Sequence, residues 1–177
     1  MSIISFGEYK EDINYKVLNE RAMRASGGLM FLAGLLAFIN GFILQNYIVI
    51  PFVSGFLMLN FLIGIFINPK FSPTMLIGSL LVQKQKPLYI GAIQKKFAWS
   101  MGLTLSSLIF ILSLYLLNDI SFFKPVCMLC LICLTVIFFE VAFGICVGCK
   151  FYDLAIGLNL IKKPEEKPNC IGDACEN

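Results

Sequence analysis

Histidine is absent from all 177 residues of this chain. Its absence removes the commonest metal ligand and general base at once. Histidine-ligated haem and Ser-His-Asp chemistry are excluded with it. Any metal would have to be held mainly by thiolate, which favours copper(I), zinc, iron–sulfur clusters or mercury-like soft ions. Charge is also scarce: Asp, Glu, Lys and Arg together make 14% of the residues, where soluble domains carry about 25%. The net charge of +3 comes from loop lysines and gives no basis for nucleic-acid binding. Cysteine is missing from the first 126 residues.

What fills the chain instead is apolar. The composition is 58% hydrophobic, with a mean hydropathy of +0.83, which is that of an integral membrane protein. Four runs are long enough to cross a bilayer, at residues 27–45, 47–67, 97–117 and 125–147. The first run is longer than a secretory h-region, and no small-x-small site follows it, so it reads as a span and not a cleaved signal. The expected fold is an all-α, polytopic membrane four-helix bundle with short interfacial helices.

Lysine and arginine lie unevenly between the runs. Residues 1–26 carry Lys10, Lys16, Arg21 and Arg24; the second connection carries Lys70, Lys84, Lys86, Lys95 and Lys96; the tail at 150–177 carries Lys150, Lys162, Lys163 and Lys167. The first connection has none and the third only Lys124. The positive-inside rule then puts both termini and the long middle loop in the cytoplasm, in a multi-pass inner-membrane arrangement. Ser72-Pro73 reads as an N-cap followed by proline at the first helical position, opening an interfacial helix over about 73–83. The stretch 12–24 has a similar amphipathic look. Gly27, Gly34 and Gly41 recur every seven residues, and Gly102 and Ser106 form a small-xxx-small pair. Both patterns suit close helix packing in a membrane.

All seven cysteines fall in the last 51 residues. Cys127-x-x-Cys130, with Cys133 beyond it, opens the fourth run, and Cys146-x-x-Cys149 closes it. On one continuous helix the two pairs would stand about 28 Å apart, close to the ~30 Å of a hydrocarbon core. The outer pair follows Pro125, so a helix N-terminus is expected there, with the thiolate-favouring geometry of thioredoxin-type sites. The plainer reading of these cysteines is small apolar packing. For the inner pair, Gly148 is expected to end the helix, leaving Cys149 at the interface beside Lys150. Cys170 and Cys175 follow in a polar tail and, with Cys146 and Cys149, would give four thiols for a structural zinc or a cluster. Glu140 is the one Asp, Glu, Lys or Arg inside the four runs. A mid-membrane carboxylate needs a partner or a role: a proton acceptor or cation ligand beside Cys133, or a neutral acid bonded to Asn40, Asn60 or Thr135.

The segment Gly144-Ile-Cys-Val-Gly-Cys-Lys-Phe-Tyr152 resembles the closing signature of a small bacterial membrane family, domain-of-unknown-function family 4395. Asn19-Glu-Arg-Ala-Met-Arg24 and Lys96-Phe-Ala98 are similar to its other marks, over about residues 14–152. The resemblance implies a four-span membrane protein with an important inner cysteine pair, and implies no substrate. The residues themselves point first to a thiol, disulfide or sulfur relay. Cys127 and Cys130 would serve one face and Cys146 and Cys149 the other, with Cys170 and Cys175 as an exchange arm and Glu140 in the proton path. Its partners would be the lipid bilayer, a thioredoxin-like or sulfur-carrier protein, and a second copy of the chain. Two alternatives stand beside it. One is a transporter of soft metal or small sulfur compounds, with a thiolate-bound metal ion. The other is a non-catalytic accessory subunit.

Overall fold

The computed structural model describes residues 6–10 and 13–158. Its four long apolar helices are each able to cross a membrane. Helix α1 spans Glu20–Phe38 and runs on as a π-helical turn, Ile39–Ile43; α2 spans Val49–Phe66. After a short amphipathic helix α3, Pro73–Leu81, come α4, Ala92–Leu116, and α5, Phe123–Phe138, which ends in a second π turn, Phe139–Phe143. A last helix, α6, covers Val147–Gly157. The four-helix membrane bundle is therefore present, with a three-stranded antiparallel sheet added to it.

That sheet differs from the amphipathic helical look of residues 12–24. Strand β1 is Glu8–Lys10, β2 is Ile13–Asn19 and β3 is Tyr89–Gly91, in the order β1-β2-β3. Val17 pairs with Gly91 and Asn19 with Tyr89. Val17 and Leu18 are both buried, so the stretch has two covered faces where a surface helix would have one. Asn19 ends the strand and caps α1, its side chain accepting the Arg21 N–H at 3.2 Å. Helix α1 thus starts at Glu20 and α4 at Ala92, several residues before the apolar runs. Arg21, Arg24, Lys95 and Lys96 therefore belong to helices.

Helix α3 follows Ser72 as expected, though the Ser72 hydroxyl donates to the Pro69 carbonyl and does not cap the helix. Met75 faces the core, while Leu76, Ile77, Leu80 and Leu81 are exposed, as an interfacial helix requires. A buried polar knot ties it to the bundle. Asn60 Oδ1 on α2 accepts the N–H and hydroxyl of Thr74 at 3.0 and 2.9 Å, and the Ser26 and Thr74 hydroxyls meet at 2.7 Å.

Two apolar clusters lie along the bundle. One, at the sheet end, centres on Trp99, which Phe6 and Phe61 meet edge-on at 5.9 and 5.5 Å. The other, at the far end, holds Ile50, Ile109, Leu116 and Val126, with Cys130 and Cys133 packed against it. The small-residue stripes serve these contacts: Gly34 lies on Leu134, Gly41 on Ile50 and Gly102 on Phe61.

Candidate functional site

At the sheet end of the bundle the fourth span stops earlier than its hydropathy indicates. The π turn closes at Gly144, whose φ of +70° lies in the left-handed region. A side chain here would be strained, and its Cβ would also fall on the Arg24 guanidinium. The chain then extends through Ile145, and Cys146 becomes the N-cap of α6. Gly148, expected to end a helix, instead lies in the first turn of a new one. Its missing Cβ lets α6 sit directly on α4, since an added Cβ would stand 2.5 Å from the Ala98 Cβ. Tyr152 packs on Phe97 one turn further along, at 5.5 Å between ring centroids.

This rearrangement changes the chemistry of the inner cysteines. They were expected at a helix C-terminus, which disfavours a thiolate; they lie at an N-terminus, which favours one. Cys146 and Cys149 form a disulfide, with Cα atoms 5.2 Å apart. The Cys149 N–H donates to Cys146 Sγ at 3.2 Å, and the Lys150 N–H donates to the Cys146 carbonyl at 3.1 Å. Cys146 Sγ thus occupies the acceptor position that a serine or aspartate oxygen takes in an ordinary N-cap. Further along α6, burial pushes the Asp153 carboxyl above its usual range, with Lys150 opposing, and burial likewise raises Tyr152, helped by Asp153.

Glu140 meets a partner the sequence reading missed. Its carboxylate pairs with the Lys95 ammonium at 2.5 Å, and the side chains are 24% and 6% exposed. The expected partners are engaged elsewhere. Asn60 serves Thr74, while Asn40 and Thr135 bond to the carbonyls of Leu36 and Leu131 in their own helices. Lys95 was read as a loop residue because hydropathy starts the third span too late. The signal that could have found it is the unpaired carboxylate itself, which demands a cation on a neighbouring span. A second pair, Glu20 with Arg24 at 3.1 Å, lies beside the Gly144 turn.

The other sequence-predicted residues are elsewhere. Cys127, Cys130 and Cys133 are free thiols. Helix α5 opens at Phe123, so Cys127 is its fifth residue and not at its cap. Cys130 and Cys133 line an apolar cavity of about 40 Å³ with Met30, Gly34, Ser54 and Ser106. Cys170 and Cys175, and with them the four-thiol metal set, lie outside the described residues. Among the described residues no group of three or more Cys, Asp or Glu is placed to hold a metal ion.

Three stretches singled out in the sequence converge here. Arg24 from Asn19–Arg24 touches Gly144; Phe97 and Ala98 carry Tyr152 and Gly148; and these belong to the Gly144–Tyr152 signature. Four membrane-crossing helices with a Cys-x-x-Cys disulfide capping a docked surface helix define a polytopic membrane protein with a dithiol pair at one end of its bundle. The chain belongs to the family described as domain of unknown function (DUF4395), whose profile matches residues 18–156. No curated protein and no solved structure matches it.

Proposed function

We propose that this is an inner-membrane thiol/disulfide relay protein whose working pair is Cys146 and Cys149. The observation that carries the reading is the Cys-x-x-Cys disulfide formed across the N-cap of α6, with a backbone N–H on Cys146 Sγ. Helix N-termini and backbone donors favour the thiolate, the form that attacks disulfides.

In the reduced pair, Cys146 Sγ attacks a disulfide of a partner protein. A Cys146–partner bond forms, the partner's own S–S bond breaks, and the released partner thiolate takes a proton from water. Cys149 then gives up its proton and attacks Cys146 Sγ, releasing the second partner sulfur, which takes a proton in turn. The partner disulfide is reduced to a dithiol and the pair is oxidised to its disulfide. With a dithiol partner every step runs in reverse. Lysine asymmetry supports a cytoplasmic site for this exchange, so the matching partner is a cytoplasmic thioredoxin-like or sulfur-carrier protein. Cys127 and Cys130 belong to the opposite end of the fourth span. Thiols so far apart do not exchange directly, so a relay between them needs a membrane-soluble carrier or a second subunit.

The test is thiol trapping in intact cells: a membrane-impermeant alkylator, then a permeant one, with each cysteine read by mass spectrometry before and after an oxidant pulse. The proposal predicts that Cys127 labels from outside. Cys146 and Cys149 label only with the permeant reagent and switch between dithiol and disulfide. Inner cysteines that stay reduced, and are shielded from alkylation until a soft-metal chelator is added, would overturn it in favour of metal binding.

A further inference from the structure

The proposed exchange leaves one buried pair unused. Lysine and glutamate are seldom buried unless paired, and Lys95 is 6% exposed at the side chain. A buried ion pair is a weak source of stability, because desolvating two charges offsets most of their attraction. Its position is more telling than its strength. Glu140 lies in the π turn that closes at Gly144, two residues before Cys146. Lys95 lies one helical turn before Ala98 on α4, and residues three apart on a helix are neighbours at about 5–6 Å between Cβ atoms. Ala98 is the residue against which Gly148, between the two cysteines, is pressed. The pair therefore joins the two elements that hold the disulfide turn, one charge on each.

We infer that Lys95 and Glu140 are positioning residues that set the reduction potential of the Cys146–Cys149 couple. The inference rests on the redox reading above. Reduction of the disulfide by two electrons creates thiolate character at the N-terminus of α6, and a charge carried by an element packed against that turn acts on it through space. Lys95 favours that negative charge and Glu140 opposes it; paired, they nearly cancel. Lys95→Met removes the cation, so the thiolate is disfavoured and the disulfide becomes harder to reduce. Glu140→Gln removes the anion and leaves the ammonium uncompensated, so the dithiol form gains. A purely structural pair lacks this signature: losing either partner would loosen the same contact and move the couple the same way.

The experiment is a redox titration of the full-length protein in detergent against glutathione and dithiothreitol buffers, with alkylation and mass readout of Cys146 and Cys149. Wild type is compared with Lys95→Met, Glu140→Gln and the double variant. The dithiol–disulfide equilibrium constant is expected to move at least tenfold in each single variant, about 30 mV for a two-electron couple. The potential falls in Lys95→Met and rises in Glu140→Gln, and the double variant returns to within threefold of wild type. Where Lys95→Met does not fold, the sign and size of the Glu140→Gln shift decide alone. Shifts in the same direction, or a Glu140→Gln constant within threefold of a normally titrating wild type, overturn the inference while leaving the redox reading intact. A wild-type pair that does not titrate at all overturns the redox reading and this inference with it.

Discussion

Two glycines give the cysteine pair its setting. Gly144 turns the chain out of the fourth span in a left-handed conformation, with Arg24 filling the space a Cβ would need. Gly144→Ala should cost about 1–2 kcal/mol from the backbone alone, with a further loss from displacing Arg24, read as a lower thermal midpoint in detergent. Gly148→Ala should cost about 1–3 kcal/mol by overpacking against Ala98 and should slow thiol exchange by lifting α6 from α4. Both glycines are visible in the sequence, and their spacing about Cys146 marked the segment as special. Their roles were not legible, because Gly148 in a run of apolar residues carries the same local signature as a helix-ending glycine. Only the contact with Ala98, some fifty residues away in the chain, distinguishes the two. Lys95 was hidden for a related reason: a lysine at the edge of an apolar run reads as a solvated loop until its partner on another helix is known.

Among the elements, α6 is the decisive one. Hydropathy merges residues 125–147 into a single span and so makes Cys146 and Cys149 the end of a helix; the backbone breaks the run at Gly144 and makes them the start of another. The element's existence was unreadable because its first turn is as apolar as the membrane helix before it. Asp153 on α6 gives a pH test of its docking. Its folded-state pKa is raised, chiefly by burial, so the fold disfavours the ionised carboxylate, and stability present below the ordinary carboxylate range is lost as pH rises through the raised value. Asp153→Asn should therefore raise stability at neutral pH and change it little at acid pH, which thermal unfolding at the two pH values would detect. The interfacial α3 was legible from Ser72-Pro73, whereas its anchor was not. Asn60→Ala leaves the buried Thr74 N–H without its acceptor, at about 1–3 kcal/mol, while the Thr74 hydroxyl keeps Ser26 as a partner, and should expose the sheet-end cluster to hydrogen exchange before the rest of the bundle.

The whole molecule is a membrane bundle with two unlike ends. Span number and fold class were readable because bilayer thickness imposes a length that few other structures require. The sheet was not readable, since β1 is only three residues long and the other partner of β2, β3, comes some seventy residues later. Sheet, interfacial helix and α6 all gather at the lysine-rich end, and so does the disulfide. Free thiols and an apolar cavity occupy the body and the opposite end. That division underlies the proposed relay, in which one end would exchange thiols with a protein and the other would meet what the membrane supplies. The most direct test is an equilibrium redox titration of the purified full-length protein, with each cysteine alkylated and identified by mass. Cys146 and Cys149 should interconvert between disulfide and dithiol as one two-electron couple. A Cys146–Cys149 pair that stays in one state across the whole range, or that alkylates only after a soft-metal chelator is added, would contradict the account.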